Sequence, residues 1–502
     1  MRLGRNLFAG LVNSALVALV GLAATPGYLH LLGLERYGII GLFVSVQALL
    51  SLLDMGLSPT LNREVARASA SGAWANVHGL LASLGRLYWV VAVGVGIVAM
   101  ASASWLANRW LRPDALGVDE LASALAWMGL AVASRWPAGL YASAINGAQR
   151  LAVSSSLASA YALVSAGGAL ALMAWMEASL VLFFGWQAAC ALAYSLAVRS
   201  VAWRIVGGAG AKPEWSELQR VWRFSASMGL IAVTSVVFTQ LDKVLLSRML
   251  DLEAFGRYAL ANLVAGGLYV VVTPVFGALY PRFSALVAGG RDDELWSLYR
   301  LGTRMMATLV FPLVVVVVVL AQPLVGLWTG KPALAAAVAP VVALLCAGTA
   351  LHAVMYLPYA LQLANGVPRL SVGINLVMIA LLVPLTISLT LLHGEVGAAA
   401  AWLALHLFYL ALGTTVTHRH FFRGRGLPWL ARDVGLPLLF SIGIGVLAWA
   451  AGLQAVDGAL ALVSAAAATW FATTVACLAI SPGLRDVLKP HLASFVGRGR
   501  RG

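Results

Sequence analysis

Fourteen stretches of this chain are long and apolar enough to cross a lipid bilayer: residues 6–32, 38–61, 80–106, 121–145, 151–175, 178–203, 224–250, 258–280, 301–325, 334–363, 370–392, 396–416, 434–451 and 458–480. A hydrocarbon core of roughly 30 Å takes about 20 apolar residues in a helix. Composition agrees: 61% of the 502 residues are hydrophobic, 10% are charged and the mean hydropathy is +0.89. A soluble domain carries about 25% charged residues. The expected fold class is therefore an all-α polytopic membrane protein of about 14 transmembrane helices. The first stretch is longer than the core of a signal peptide, with no small-residue cleavage site behind a short apolar run, and reads as a retained helix.

The formal charge of +14 raises the possibility of a nucleic-acid partner, but its distribution points elsewhere. With the N-terminus placed inside, 25 of the 33 Lys and Arg fall on the cytoplasmic side. Six (Arg36, Arg109, Arg112, Arg248, Arg257 and Lys331) fall on the other, and Arg135 and Lys243 lie within segments. The positive-inside rule then puts both termini in the cytoplasm and makes the basic excess topological. No nucleic acid is implied. Cys190, Cys346 and Cys477 all sit in apolar segments, without the spacing of a disulfide framework or a zinc site. The run from Gly326 to Gly330-Lys331-Pro332 is not a phosphate-binding loop, because its spacing is wrong and it lacks the Ser/Thr. No cofactor is called for, and no hydrophilic stretch is long enough for a soluble catalytic domain.

Two short motifs recur at nearly one offset. Leu32-Gly33-Leu34-Glu35-Arg36-Tyr37-Gly38 returns as Leu250-Asp251-Leu252-Glu253-Ala254-Phe255-Gly256, 218 residues on. Asn146-Gly147 with Arg150-Leu151 returns as Asn365-Gly366 with Arg369-Leu370, 219 residues on. This predicts an internal duplication. One six-helix lobe occupies 1–205 and a second occupies 224–420, joined by a basic cytoplasmic hinge at 206–223. Residues 421–502 add two C-terminal helices and a basic tail. Because each lobe holds an even number of helices, the repeat is parallel, about an axis along the membrane normal.

Polar side chains within apolar segments are costly and mark functional or structural sites. Gln47, Ser51, Asp54 and Ser58 are spaced 4, 3 and 4 and share one helical face, either lining a cavity with Asp54 as a proton or cation site, or bonding between helices with Asp54 paired to Arg63. Asp242 and Lys243 are adjacent, about 100° apart on a helix, and are expected either to seek different partners, an anionic substrate and a helix of the opposite half, or to serve as a structural ion pair nearer the outer surface. Arg135, before Trp136 and Pro137, lies mid-segment beside an expected kink and suits bidentate phosphate binding or an internal pair. His352 and Tyr356 read either as cavity residues or as packed aromatics. Arg63 and Arg67 share a face and either gather phosphate or enforce topology.

The run Tyr37-Gly38 through Leu53-Asp54-Met55-Gly56-Leu57-Ser58-Pro59-Thr60-Leu61-Asn62-Arg63-Glu64 resembles the start of the Wzx-like O-antigen and polysaccharide flippases of the multidrug/oligosaccharidyl-lipid/polysaccharide (MOP) exporter superfamily. Gln240-Leu241-Asp242-Lys243, the Leu252–Gly256 motif and the Asn365-Gly366 loop resemble that family's second half. The resemblance implies two six-helix lobes around a cationic cavity open alternately to each side. It implies a non-enzymatic flippase that moves undecaprenyl-pyrophosphate-linked oligosaccharide across the bacterial inner membrane for surface polysaccharide or lipopolysaccharide synthesis, with proton or cation coupling possible. Arg135 and Lys243 would meet pyrophosphate by their placement, and Asp54 and Asp242 are the coupling candidates. Implied partners are the lipid-linked substrate, membrane lipids, and glycosyltransferases and a polymerase of the same pathway. The alternatives are a drug/cation antiporter of the same superfamily, a peptidoglycan-precursor flippase and a membrane enzyme on the same lipids. The enzyme would need a larger outer loop than 109–120.

Overall fold

The computed structural model describes residues 2–208, 210–481 and 483–486, and contains no strand among them. The tail residues Lys489, Arg498, Arg500 and Arg501 lie outside the described residues, as do the side chains of Arg2, Arg5, Arg220 and Arg223. In chain order come α1 (Arg2–Leu31), α2 (Leu34–Leu50), a 3-10 turn (Ser51–Asp54), α3 (Leu57–Ser71) and α4 (Ala75–Trp105) with a π turn (Leu106–Trp110). Next are α5 (Val118–Arg135), α6 (Pro137–Gly147), α7 (Leu151–Trp175), α8 (Leu180–Val206), α9 (Trp215–Met249) and α10 (Leu252–Gly266). Then follow α11 (Tyr269–Ala288), α12 (Asp292–Val319), α13 (Ala321–Thr329), α14 (Pro332–Ala364) and α15 (Pro368–Phe421). The last are α16 (Gly426–Trp429), α17 (Leu436–Ala450) and α18 (Ala459–Ala479).

Each apolar stretch of the sequence falls on helix, and eleven helical runs among the described residues are long and apolar enough to cross a membrane. The chain is a multi-pass membrane protein. The stretches at 121–145 and 224–250 are not among the eleven, and the eleventh and twelfth stretches are the two helices of α15, which meet at a kink. Only His393 and Gly394 leave the helical region inside it. The loop expected over 206–223 is shorter, because α9 already begins at Trp215. Burial varies with position as a lipid solvent allows: the most apolar window of α7 is 17% buried and that of α12 is 61% buried. Lipid tails are as apolar as leucine, so the exposed faces of Val93, Ile97, Leu447 and Leu460 cost nothing there.

Contacts gather the chain into two compact units, Met1–Ala259 and Leu260–Gly502. In the first, α5 packs between α4 and α8, α7 between α1 and α8, and α3 against α6. Leu57, Leu61 and Val65 of α3 meet Leu84 and Tyr88 of α4, Leu140 and Tyr141 of α6, and Val198 of α8 in one core. The two copies of the repeated motif touch within this unit. A Cβ on Gly38 would lie 2.5 Å from the Leu252 carbonyl oxygen, and one on Gly256 would lie 2.6 Å from that of Leu34. The contact is reciprocal under the 218-residue offset, and only glycine permits backbones this close. In the second unit, α14 packs against α11, α12, α13 and α15, while α12 also carries α17 and α18.

The second apolar stretch is not one helix. Met55 (φ 45°) and Gly56 (φ 76°) both take the left-handed conformation, which separates α2 and its 3-10 turn from α3. Asp54 spans the break by accepting from the Ser58 backbone N–H at 3.2 Å and from the Ser58 hydroxyl, so that an orphan donor of α3 is satisfied.

The second unit is pinned by an ion cluster. Asp433, fully buried on a π turn (Leu430–Gly435), accepts from Arg300 Nε at 2.8 Å and from Arg304 Nε at 2.6 Å, both on α12. Beside it the buried Trp429 indole donates to Thr303 at 3.0 Å. Removing one partner of such a buried cluster costs roughly 3–5 kcal/mol. Asp433→Ala should accordingly lower the thermal unfolding midpoint of the detergent-solubilised protein by several degrees. A midpoint equal to wild type would show that α16 and α17 are held to α12 by packing alone.

Candidate functional site

Arg135 closes α5, where Pro137 has no N–H to continue the helix. The carbonyls exposed at this kink find a donor on the neighbouring helix. The buried Ser195 hydroxyl of α8 donates to the Ser134 oxygen at 2.6 Å and reaches that of Arg135 at 3.5 Å. The kink turns the Arg135 guanidinium over Tyr161 of α7, 4.4 Å from the ring centroid, with Tyr194 of α8 at 5.9 Å. Among the described residues no carboxylate pairs with it. Aromatic faces hold a cation without neutralising it, for roughly 0.5–1 kcal/mol at a partly exposed site. The fork remains available to an anion.

A cavity of about 460 Å³ opens here, lined by Gln47 and Ser51 from α2 and its 3-10 turn, Arg135 and Trp136 at the α5 kink, and Tyr194. The sequence-derived cavity residues Gln47, Ser51 and Arg135 thus come together. Asp54 and Ser58 do not join them: Ser58 lies beyond the break at Met55–Gly56, and Asp54, on the near side of it, is engaged by Ser58 and Tyr88. Asp54 instead accepts the hydroxyl of the buried Tyr88, whose ring stacks on Trp136 at 4.3 Å and 7°. This carboxylate is held by hydroxyl and amide donors. Its expected partner Arg63 donates instead to the buried Glu64 at 2.9 Å, and Arg67 shares the same oxygen at 3.3 Å.

Asp242 and Lys243 correct a second expectation. They do not seek separate partners: Lys243 Nζ lies 3.1 Å from Asp242 Oδ1 and donates to the Thr239 carbonyl at 2.7 Å. Tyr258 donates to Asp242 Oδ2 at 2.8 Å. A long lysine bends back along its own helix across the 100° between neighbouring positions, and burial rewards the pairing. The Oδ1 contact is a close ion pair without hydrogen-bond alignment. Both side chains are buried.

In the second unit His352 accepts from or donates to Tyr269 through Nδ1 at 2.6 Å. Its ring stands edge-on to Tyr356 and 4.9 Å from His406, and Tyr356 meets Phe276 edge-on at 5.7 Å. These residues form a packed aromatic cluster on α11, α14 and α15. Metal-ligand clusters of three or more His, Cys, Asp or Glu are absent among the described residues.

The sequence reading missed Tyr88, Tyr161, Tyr194 and Ser195, which hold Asp54 and Arg135 in place. A tyrosine in an apolar span still needs a polar partner for its hydroxyl, and that is the signal by which Tyr88 is found.

Comparison with known proteins follows this geometry. A profile described as "Polysaccharide biosynthesis protein" matches residues 3–287. No curated protein matches by sequence. Among solved structures, the lipid II flippase MurJ in an inward closed conformation superposes with a TM-score of 0.70 at 10% identity, covering 96% of this chain and 99% of that one. An inward-facing MATE-family multidrug transporter of the MOP superfamily gives 0.65 at 13% identity, covering 80% and 95%. The Vibrio cholerae MATE transporter VcmN in its bent form gives 0.55 at 12%, covering 83% and 97%. At these identities the likeness is one of fold.

Arg135→Ala should leave membrane insertion and helix content unchanged while lowering affinity for inorganic pyrophosphate at least tenfold, as read by calorimetry on the solubilised protein. Arg135→Lys keeps the charge and loses the planar fork, and should fall in between. Equal affinity in all three proteins would remove Arg135 from anion binding.

Proposed function

The chain belongs to the polysaccharide biosynthesis protein family, and from that premise we propose that it is a flippase for undecaprenyl-pyrophosphate-linked oligosaccharide. The observation that carries this reading is Arg135 held over Tyr161 in a cavity that also presents Gln47 and Ser51. A pyrophosphate needs a cation within the membrane, and a glycan needs hydroxyl and amide partners. A guanidinium committed to a ring rather than a carboxylate meets the first need, and Gln47 and Ser51 meet the second.

In this proposal the lipid-linked sugar enters from the cytoplasmic leaflet of the inner membrane, its phosphates meet Arg135, and a change of conformation releases it to the periplasmic leaflet. No covalent step is required. Asp54 is the coupling candidate, since a proton or cation arriving there would compete with Tyr88 and Ser58 for the carboxylate and loosen the α2–α3 break. Fourteen crossings in two parallel six-helix lobes, with both termini cytoplasmic, complete the reading. The reciprocal contact of Gly38 with Leu252 and Gly256 with Leu34 supports that symmetry. The fold shared with the MATE transporters leaves drug export as the competing function.

In a host strain lacking this chain, surface polysaccharide should be lost while completed lipid-linked units accumulate on the cytoplasmic face. Unchanged polysaccharide with new sensitivity to cationic drugs would move the assignment to an antiporter. For the repeat, single substitutions Arg150→Cys and Arg369→Cys sit at equivalent exposed positions at the starts of α7 and α15, and the native cysteines are buried. Both should react with an impermeant maleimide from the cytoplasmic side only. Labelling from opposite sides would rule out a parallel repeat.

A further inference from the structure

A second cleft, of about 660 Å³, lies in the first unit among α4, α6, α8 and residues 210–213. Its walls carry Arg86 of α4 with Arg199 and Arg204 of α8, beside Trp89, Trp203 and Tyr141. No carboxylate lines it, and among the described residues none of the three arginines forms an ion pair. Glu214, next to the lining residue Pro213, packs its side chain on Gly79, and its backbone N–H donates to Ser83 at 2.7 Å. The cleft wall is shaped to present polar groups. Gly85 leaves room for the Tyr141 hydroxyl, which would lie 2.7 Å from a Cβ placed there. That hydroxyl sits beside the Trp89 indole and the Arg199 guanidinium, and the buried indole N–H completes no aligned hydrogen bond.

The lengths of the two helices bear on its surroundings. α4 has 31 residues and α8 has 27, so at 1.5 Å per residue they are about 46 and 40 Å long. Each exceeds the roughly 30 Å hydrocarbon core by about 10–16 Å. Arg86 lies about 16 Å from the start of α4 and Arg199 about 10 Å from the end of α8, at the ends where the two helices adjoin residues 207–214. The arginines thus sit within about 16 Å of helix ends that outrun the hydrocarbon core, within reach of a headgroup layer, with Trp89 and Trp203 beside them.

We propose that this cleft binds the phosphate of an anionic membrane lipid, with Arg86, Arg199 and Arg204 on the phosphate oxygens and Trp89 and Trp203 against the glycerol and first acyl carbons. Three guanidiniums without acidic partners among the described residues, gathered in one cleft, take a doubly charged headgroup best. The site is separate from the Arg135 cavity and does not depend on the transport assignment.

The test uses the full chain carrying Arg135→Ala, so that the cavity does not contribute. Native mass spectrometry would follow retention of cardiolipin, phosphatidylglycerol and phosphatidylcholine after delipidation, with inorganic pyrophosphate as a separate arm. Anionic lipid should be retained at least tenfold over phosphatidylcholine, with cardiolipin ahead, and Arg86→Gln/Arg199→Gln/Arg204→Gln should abolish the preference. The corresponding triple lysine variant should retain most of it, which separates charge from misfolding. Pyrophosphate binding as strong as lipid binding would reassign the cleft to a free phosphate ligand and overturn the lipid assignment. Equal retention of phosphatidylcholine, or a preference that survives the glutamine variant, would overturn the site altogether.

Discussion

Hydrocarbon offers no hydrogen bonds, so each interruption of a helix in this chain has to be answered from within the protein. At Met55–Gly56 the answer is Asp54, which takes the Ser58 N–H. At Pro137 it is the Ser195 hydroxyl on the Ser134 carbonyl. Both repairs bring polar groups to the same part of the first unit. The cavity residues Arg135, Gln47 and Ser51 lie where α2 and α5 stop being regular, and the aromatic stack of Tyr88 on Trp136 connects the two breaks. A straight helix at either place would point these side chains elsewhere.

The same solvent sorts the charges. Asp242 with Lys243, and Asp433 with Arg300 and Arg304, are neutralised within their own clusters, and their burial follows. Glu64 performs that service for Arg63 and Arg67. Arg135 is the exception that matters, because its partner is an aromatic face. Quadrupole attraction positions the guanidinium and leaves its formal charge for an incoming group. The Lys243 ammonium, engaged with Asp242 and the Thr239 carbonyl, is a poorer candidate for pyrophosphate than its sequence position suggests.

Much of the fold was legible from residue order alone, because hydropathy at twenty-residue scale is the signal that a bilayer imposes. Pro137 marked its kink by chemistry that needs no tertiary context. The break at Met55–Gly56 was hidden by the apolar residues around it, since periodicity assumes an unbroken helix. Extending one face through that point wrongly joined Ser58 to Gln47 and Ser51, while Asp54, before the break, is held away from them by Ser58 and Tyr88. The Asp242–Lys243 pair was misjudged for a related reason. Angular separation on a helix describes Cβ positions, and a side chain with four methylenes is not confined to its own sector. Tyr161 and Tyr194 could not be assigned to Arg135 by any local pattern, because α5, α7 and α8 meet only in three dimensions.

The glycine pair carries this distinction further. Gly38 and Gly256 were legible as a repeat, and a repeat says only that two segments share a design. The structure adds that each copy's glycine receives the other copy's carbonyl, at 2.5 and 2.6 Å from where a Cβ would stand. A side chain on either glycine would separate α2 from α10, and α2 is the helix that brings Gln47 and Ser51 to the cavity. Glycine at both copies is thus what this close approach of α2 and α10 requires. The repeated glycine in the sequence and the reciprocal backbone approach in the structure meet in this one contact.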